Sequence, residues 1–357
     1  MRAMQSAYMH WAKFKAPVRF ALTGSEVPHF RMDSLPLSIA DLDLDGASHP
    51  RYAPLRERIA SRYGVSTEQV VSADGTSMAN FVALAALVEP GDEVLVERPA
   101  YDPLLGAASF LGATLTRFDR RPEDGFRLDV ERIAAASSDR TRVILITNLH
   151  NPSSALASED ELRAVGEVAR RVGARVLVDE VYLDSAVPLR RSAVHLGPEF
   201  VCTNSLTKVY GLSGLRCGWV LAEPELAERL WRVNDLFGVN QAHPAERLAC
   251  IAFDHIDAVI GDTPAMLRRN RERFTAFIAG RNDLDCMPAE HGITAFPRWS
   301  GGDTERLDAL LHEEFETAVV PGRWFEMPDH FRIGFGYPPE HFDEGLKRLA
   351  AALDSLR

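Results

Sequence analysis

The sequence predicts an α/β fold, with a mostly parallel central sheet carrying helices on both faces, plus a smaller α+β domain. Three observations predict it. Short apolar runs at 93–97, 143–147, 175–178 and 200–203 look like buried strands. Helical patterns alternate with these runs, which argues for parallel strands joined by crossover helices. After Cys250 the pattern changes to helices separated by short strand candidates.

Each element has a local reason. Residues 78–88 form an apolar helical pattern closed by Glu-Pro-Gly-Asp. Asp74, Gly75, Thr76 and Ser77 precede that pattern, so they should sit at a helix N-terminus, where free amides favour an anion. Ser158-Glu-Asp-Glu161 is a capping box that starts a helix running to about Val172, with Gly173 as its stop. Thr263-Pro264 reads as an N-cap and a first-turn proline for a helix ending near Gly280. Strand candidates follow at 293–296, 318–320 and 331–334, then an amphipathic helix from about His341. The N-terminal segment is expected to pack with this second unit.

Composition limits the function classes. The chain has 357 residues, 40 basic and 51 acidic, for a net charge of −11. It has no long basic run of the kind that marks nucleic-acid binders. No stretch of eighteen apolar residues suggests a membrane span, and the first twenty residues lack a signal-peptide core. The four cysteines are scattered without a CxxC pair, as expected of buried thiols in a cytoplasmic protein. No metal-binding spacing occurs among the eleven histidines.

Ligands of open α/β sheets bind beyond the carboxyl ends of the strands. Four candidate strands lead there to unusual polar residues: Tyr101, Asn151, Asp179 with Tyr182, and Ser205 with Lys208. A lysine amine forms a Schiff base with a carbonyl. Pyridoxal phosphate offers such a carbonyl, together with a phosphate, a ring nitrogen and a phenolic oxygen. A carboxylate beside the ring nitrogen keeps it protonated. An amide and a phenol can bond the ring oxygen, and hydroxyls, an arginine and a helix N-terminus can hold the phosphate.

The motifs themselves carry a resemblance. Ser205-x-Thr207-Lys208 with Arg216 and Gly218 resembles the lysine signature of the class I/II pyridoxal-phosphate-dependent aminotransferases, of fold type I. His150-Asn151-Pro152 resembles the family's Asn-Pro-Thr-Gly motif, and Asp179-Glu180-Val181-Tyr182 its Asp-x-x-Tyr strand. Segment 97–101 resembles the ring-stacking segment, and 331–336 the strand whose arginine holds the substrate carboxylate. The match runs over roughly residues 45 to 340 with every motif in family order.

The resemblance implies a role for each residue. Lys208 is the Schiff-base lysine and then moves the proton. Asp179 pairs with the ring nitrogen, Asn151 and Tyr182 bond the ring oxygen, and Tyr101 stacks on the ring. Ser205 and Arg216 bind phosphate with Gly75, Thr76 and Ser77. Arg332 takes the substrate α-carboxylate, with Asn151 as a second substrate-binding residue. The implied activity is transfer of an amino group from an L-amino acid to a 2-oxo acid, in a cytoplasmic homodimer. Large domain 46–258 would bind the cofactor. Residues 1–45, including a lid around 39–43, would join 259–357 in the small domain. Two departures stand out. Ser153-Ser154 replaces the usual Thr-Gly, and Tyr52, the candidate for reaching a neighbour's phosphate, has a shortened spacing.

Each residue also has an ordinary reading. A lone lysine is usually solvated, an aspartate after a strand is often a turn residue, and a tyrosine there is often core. Rival motifs fall short. Ser205-Leu-Thr-Lys208 matches S-x-x-K of the serine β-lactamases, but S-D-N and K-T-G are missing. Asp41-x-Asp43-x-Asp45-Gly46 starts like an EF-hand loop, but Tyr52 stands where a glutamate is needed. Two alternatives keep the fold. One is a pyridoxal-phosphate-dependent lyase (C–S β-lyase or decarboxylase). The other is a non-catalytic effector-sensing domain, which would need a helix-turn-helix module ahead of it.

Overall fold

Residues 5–356 are described by a computed structural model. Seven strands form the central sheet: β1 (Val70–Asp74), β2 (Glu93–Arg98), β3 (Thr114–Asp119), β4 (Thr141–Thr147), β5 (Arg175–Asp179), β6 (Phe200–Ser205) and β7 (Cys217–Leu221). Their order is β1-β7-β6-β5-β4-β2-β3. The pairs β2–β3, β2–β4, β4–β5 and β5–β6 are parallel, while β7 runs antiparallel to both its neighbours. Six strands therefore deliver their carboxyl ends to one edge, and β7 begins there.

The alternation of side chains explains why these runs are apolar throughout. Ile144, Ile146, Val176 and Val178 face one core, and Val143, Leu145 and Leu177 face the other. A strand buried on both faces has no place for a polar alternation. The first core is covered by helix Glu159–Val172 through Leu162, Val165 and Val168. Its Ser158–Glu161 capping box forms as expected, and Gly173 ends it in the left-handed region. The second core is covered by helices Gly75–Leu87 and Pro224–Asn234.

A third core lies apart. Leu267 and Phe274 of helix Thr263–Ala279 pack with Phe342, Leu346 and Leu349 of helix Pro339–Ser355, over Ile333 of the strand Phe331–Gly334. Leu22 and Val27 join this core from the N-terminal region, and Phe20–Ala21 pairs with Thr317–Ala318. The N-terminal segment thus packs with the later part of the chain, as expected.

Several boundaries differ from the sequence reading. The helix expected from residue 78 begins at Gly75, because Gly75 adopts a positive φ of 77° at the turn out of β1. Asp262, not Thr263, is the flanking residue of Thr263–Ala279. The strand expected at 318–320 is two short pieces, Thr317–Ala318 and Val320–Pro321, with different partners. Candidate 293–296 shortens to Thr294–Ala295. Residues 1–4 and Arg357, which the domain expectation included, lie outside the described residues. Among the described residues no helix is long and apolar enough to cross a membrane.

Candidate active site

The carboxyl edge of the sheet opens into a cavity of about 480 Å³, within the range that holds small ligands. Asp179, the last residue of β5, and Ser205, the last of β6, line it with Asn151, Tyr182 and Lys208. Tyr101, Thr76, Ser77 and Arg216, also predicted, lie on its wall. The groups come together because neighbouring parallel strands end at the same level.

Asp179 is buried, and its two oxygens accept from Asn80 Nδ2 at 2.7 Å and from the Val181 amide at 3.0 Å. Burial nevertheless pushes its carboxyl up to about 6, against the pull of those bonds. Asn80 is held in turn by Thr203 Oγ1, which donates to its Oδ1 at 2.6 Å. Burial likewise raises the Tyr182 phenol to about 12.

Asn151 is placed by a second buried chain. Arg120 Nη1 meets Glu97 Oε2 at 2.8 Å, with both side chains almost fully buried. Glu97 Oε1 accepts from the Thr147 amide and hydroxyl, and Thr147 Oγ1 accepts the Asn151 amide at 2.9 Å. Breaking one side of such a pair costs about 3–5 kcal/mol. Ser154, where the resembled motif has glycine, takes a positive φ of 63°. Its hydroxyl donates to the Thr294 carbonyl at 2.7 Å. The serine keeps the turn that glycine makes easily and ties it to the third core.

Near β7 the backbone makes a cradle. A Cβ on Gly75 would run into the Arg216 guanidinium, and one on Gly218 would run into Gly75. Arg216 Nη2 donates to the Asp74 carbonyl at 3.0 Å, and Thr76 Oγ1 donates to Ser205 Oγ at 2.8 Å. A guanidinium, hydroxyls and the first turn of a helix converge there, a donor set suited to a phosphate.

Arg332 is fully buried and is not on the cavity wall. Its Nη1 donates to Asn151 Oδ1 at 3.2 Å, and Nη2 donates to the Tyr8 hydroxyl at 3.0 Å and the Thr23 carbonyl at 3.2 Å. Its Nε has no partner. A buried guanidinium with an unsatisfied N–H is a natural seat for a carboxylate.

Two expected residues lie elsewhere. Tyr52 is buried against His243, its ring centroid 4.9 Å from that imidazole, and its hydroxyl accepts from Arg247 at 3.4 Å. Segment 39–43 is mostly the 3₁₀ turn Ile39–Leu42, tied to helix His243–Asp254 by Arg247 Nε on the Asp41 carbonyl. It does not line the cavity; Met9, Lys13 and Ser25 do so from the N-terminal region. Sequence reasoning missed Asn80, Glu97, Tyr8 and Glu26. Asn80 had a signal, an amide inside an otherwise apolar helix, and so did Glu97, a carboxylate closing a buried strand. Tyr8 and Glu26 had none.

The cavity fits pyridoxal phosphate. A raised, buried carboxylate wants a cation, the cradle wants an anion, and the Lys208 amine lines the same cavity. The aminotransferase class I and II family model matches residues 44–349. Capreomycidine synthase from Streptomyces vinaceus is 35% identical over 84% of this chain and 78% of its own. Histidinol-phosphate aminotransferase from Halorubrum lacusprofundi is 32% identical over 85% of this chain and 80% of its own. A solved pyridoxal-phosphate-dependent aminotransferase from Streptococcus suis superposes with a TM-score of 0.91 at 25% identity, covering 100% of this chain and 99% of that one.

Proposed function

The chain belongs to the aminotransferase class I and II family, a pyridoxal-phosphate-dependent enzyme family, and on that premise we propose that it moves an amino group from an L-amino acid to a 2-oxo acid through Lys208. The observation that carries the reading is the convergence of Lys208, Asp179 and Arg216 on one cavity. When bound, pyridoxal phosphate supplies a carbonyl that takes up an amine and a ring that withdraws electrons from the neighbouring carbon.

The side chains do the rest. Asp179 would hold the ring nitrogen proton, with Asn80 fixing the carboxylate. Asn151 and Tyr182 would bond the ring oxygen, and Tyr101 would stack on the ring. Arg216, Ser205, Thr76 and Ser77, with the Gly75 turn, would hold the phosphate. Arg332 binds the substrate α-carboxylate, with its orphan Nε and the Nη groups that Tyr8 and Asn151 now occupy. Lys208 Nζ carries the proton between the two substrate positions that exchange it. The same reading assigns 46–258 to a large domain and 1–45 with 259–357 to a small one, in a cytoplasmic homodimer. The third core, drawn mostly from residues 267–353 with Leu22 and Val27, supports that division.

The test is chemical. Borohydride should fix the cofactor to the peptide containing Lys208 and abolish the band near the visible edge, and Lys208→Ala should show neither effect. With an amino-acid panel, 2-oxo acid formation should depend on an added 2-oxo acid acceptor. A second reading, a reaction other than amino transfer that uses the same lysine, such as that of a lyase, is favoured by the capreomycidine synthase relative, which is named a synthase and not an aminotransferase. Product that appears without any acceptor would select it.

A further inference from the structure

Lys208 has a second carboxylate beside it besides the predicted Asp179. Glu26 Oε2 lies 3.7 Å from Lys208 Nζ, and both side chains are about one-third exposed. The position of Glu26 is set by backbone. The Val27 amide donates to the Lys208 carbonyl at 3.0 Å, and the Phe30 amide donates to the Gly211 carbonyl at 3.0 Å. The Gly24 amide donates to the Tyr337 hydroxyl at 2.6 Å.

Glycines allow this approach. A Cβ on Gly336 would strike the Glu26 carbonyl, one on Gly334 the Gly24 carbonyl, and one on Gly211 the Pro28 carbonyl. Segment 24–30 is therefore clamped between the Lys208 loop and the strand that carries Arg332.

We propose that Glu26 is a positioning residue for Lys208, holding the free ε-ammonium in the site and keeping a proton on it. The inference rests on the reading of Lys208 as the reacting amine. The surroundings give the carboxylate its role. Arg332 and Arg216 both disfavour a further positive charge on Lys208, and burial pulls its ammonium below the ordinary lysine range; Glu26 is the first opposing influence and Tyr8 the next. Lys13 lines the same cavity and adds another cation. Asp179 also favours the ammonium, but its oxygens are engaged by Asn80 and Val181. The other Glu26 oxygen lies 3.9 Å from the exposed His29 ring. Without Glu26 the amine would face two guanidiniums and lose its proton more readily.

The experiment reads proton affinity, not turnover. The full chain, with cofactor removed, is exposed to trace acetic anhydride across a pH series, and acetylation of the Lys208 peptide is followed by mass spectrometry. Only the neutral amine reacts. Glu26→Gln is expected to speed labelling roughly three- to tenfold near neutral pH and to move the profile to lower pH. Glu26→Asp, which keeps the charge, should return it toward the starting profile. An unmoved profile in Glu26→Gln overturns the proposal. The clamp is made of backbone groups, so Glu26→Ala serves as a second charge-free variant under the same criterion. Borohydride fixation at Lys208 tests the functional reading separately, and either result can fail alone.

Discussion

The two sides of the cavity are built in opposite ways. On the sheet side, Asp179 and Asn151 sit at or just beyond the ends of neighbouring strands, each fixed by one buried chain of hydrogen bonds. Beyond that platform, Arg332 depends on residues 8 and 23 of the N-terminal segment and on residue 151, all far from it along the chain. The sheet side is a rigid platform made by regular structure. The opposite side is an assembly, closed by an N-terminal helix, Ala7–Phe14, whose Tyr8 meets Arg332 and whose Met9 and Lys13 line the cavity. The platform suits a permanently held cofactor, and the assembly suits a substrate that must come and go.

The sharpest way to break this comparison is at Asp179. Asp179→Asn keeps the shape but removes the charge, and kcat is expected to fall about 100- to 1,000-fold, in line with loss of a buried charge pair. Steady-state assays at saturating cofactor check it. The pH dependence sharpens the same point. Because burial raises this carboxyl from 3.8 to about 6, the empty folded chain holds a proton that the unfolded chain gives up across that window. This group alone therefore makes the empty protein less stable as pH rises through about 6, and more stable as pH falls toward 4. Thermal unfolding between pH 4.5 and 7.5, with and without cofactor, should show the trend only in the empty protein.

Next comes Arg332. Hydrogen bonds to charged groups contribute about 1.5–3 kcal/mol, so Arg332→Gln should raise KM roughly 10- to 100-fold and change kcat less. A variant that loses kcat and cofactor binding together would place Arg332 on the platform instead. The smallest effect belongs to Tyr8→Phe. It removes one hydroxyl from the Arg332 network while Asn151 and Thr23 still hold the guanidinium, so a severalfold rise in KM with unchanged cofactor affinity is expected. An unchanged KM would show that the helix only covers the site.

Legibility follows the same division. The apolar runs marked β2, β4, β5 and β6, because a strand buried on both faces must be apolar along its length. Their polar endings marked Asp179, Asn151, Ser205 and Lys208, because polar groups survive only where the sheet stops. The edge strands β1 and β3 and the interior strand β7 were not recognised; β3 is partly exposed, and β7 follows a glycine-rich loop. Asn80 and Glu97 were visible as misfits in apolar segments, but their partners were not.

By itself, the sequence determined the mostly parallel sheet, the polar residues that end its inner strands and the lysine-centred chemistry they suggest. Those features depend on local periodicity and on neighbouring strands. Only the tertiary structure decided that Tyr8 meets Arg332, that Glu26 meets Lys208 and that segment 39–43 and Tyr52 lie away from the cavity. Those placements arise from contacts across as many as 324 residues of chain, and a side chain held by packing between distant segments leaves no periodic trace in its own neighbourhood.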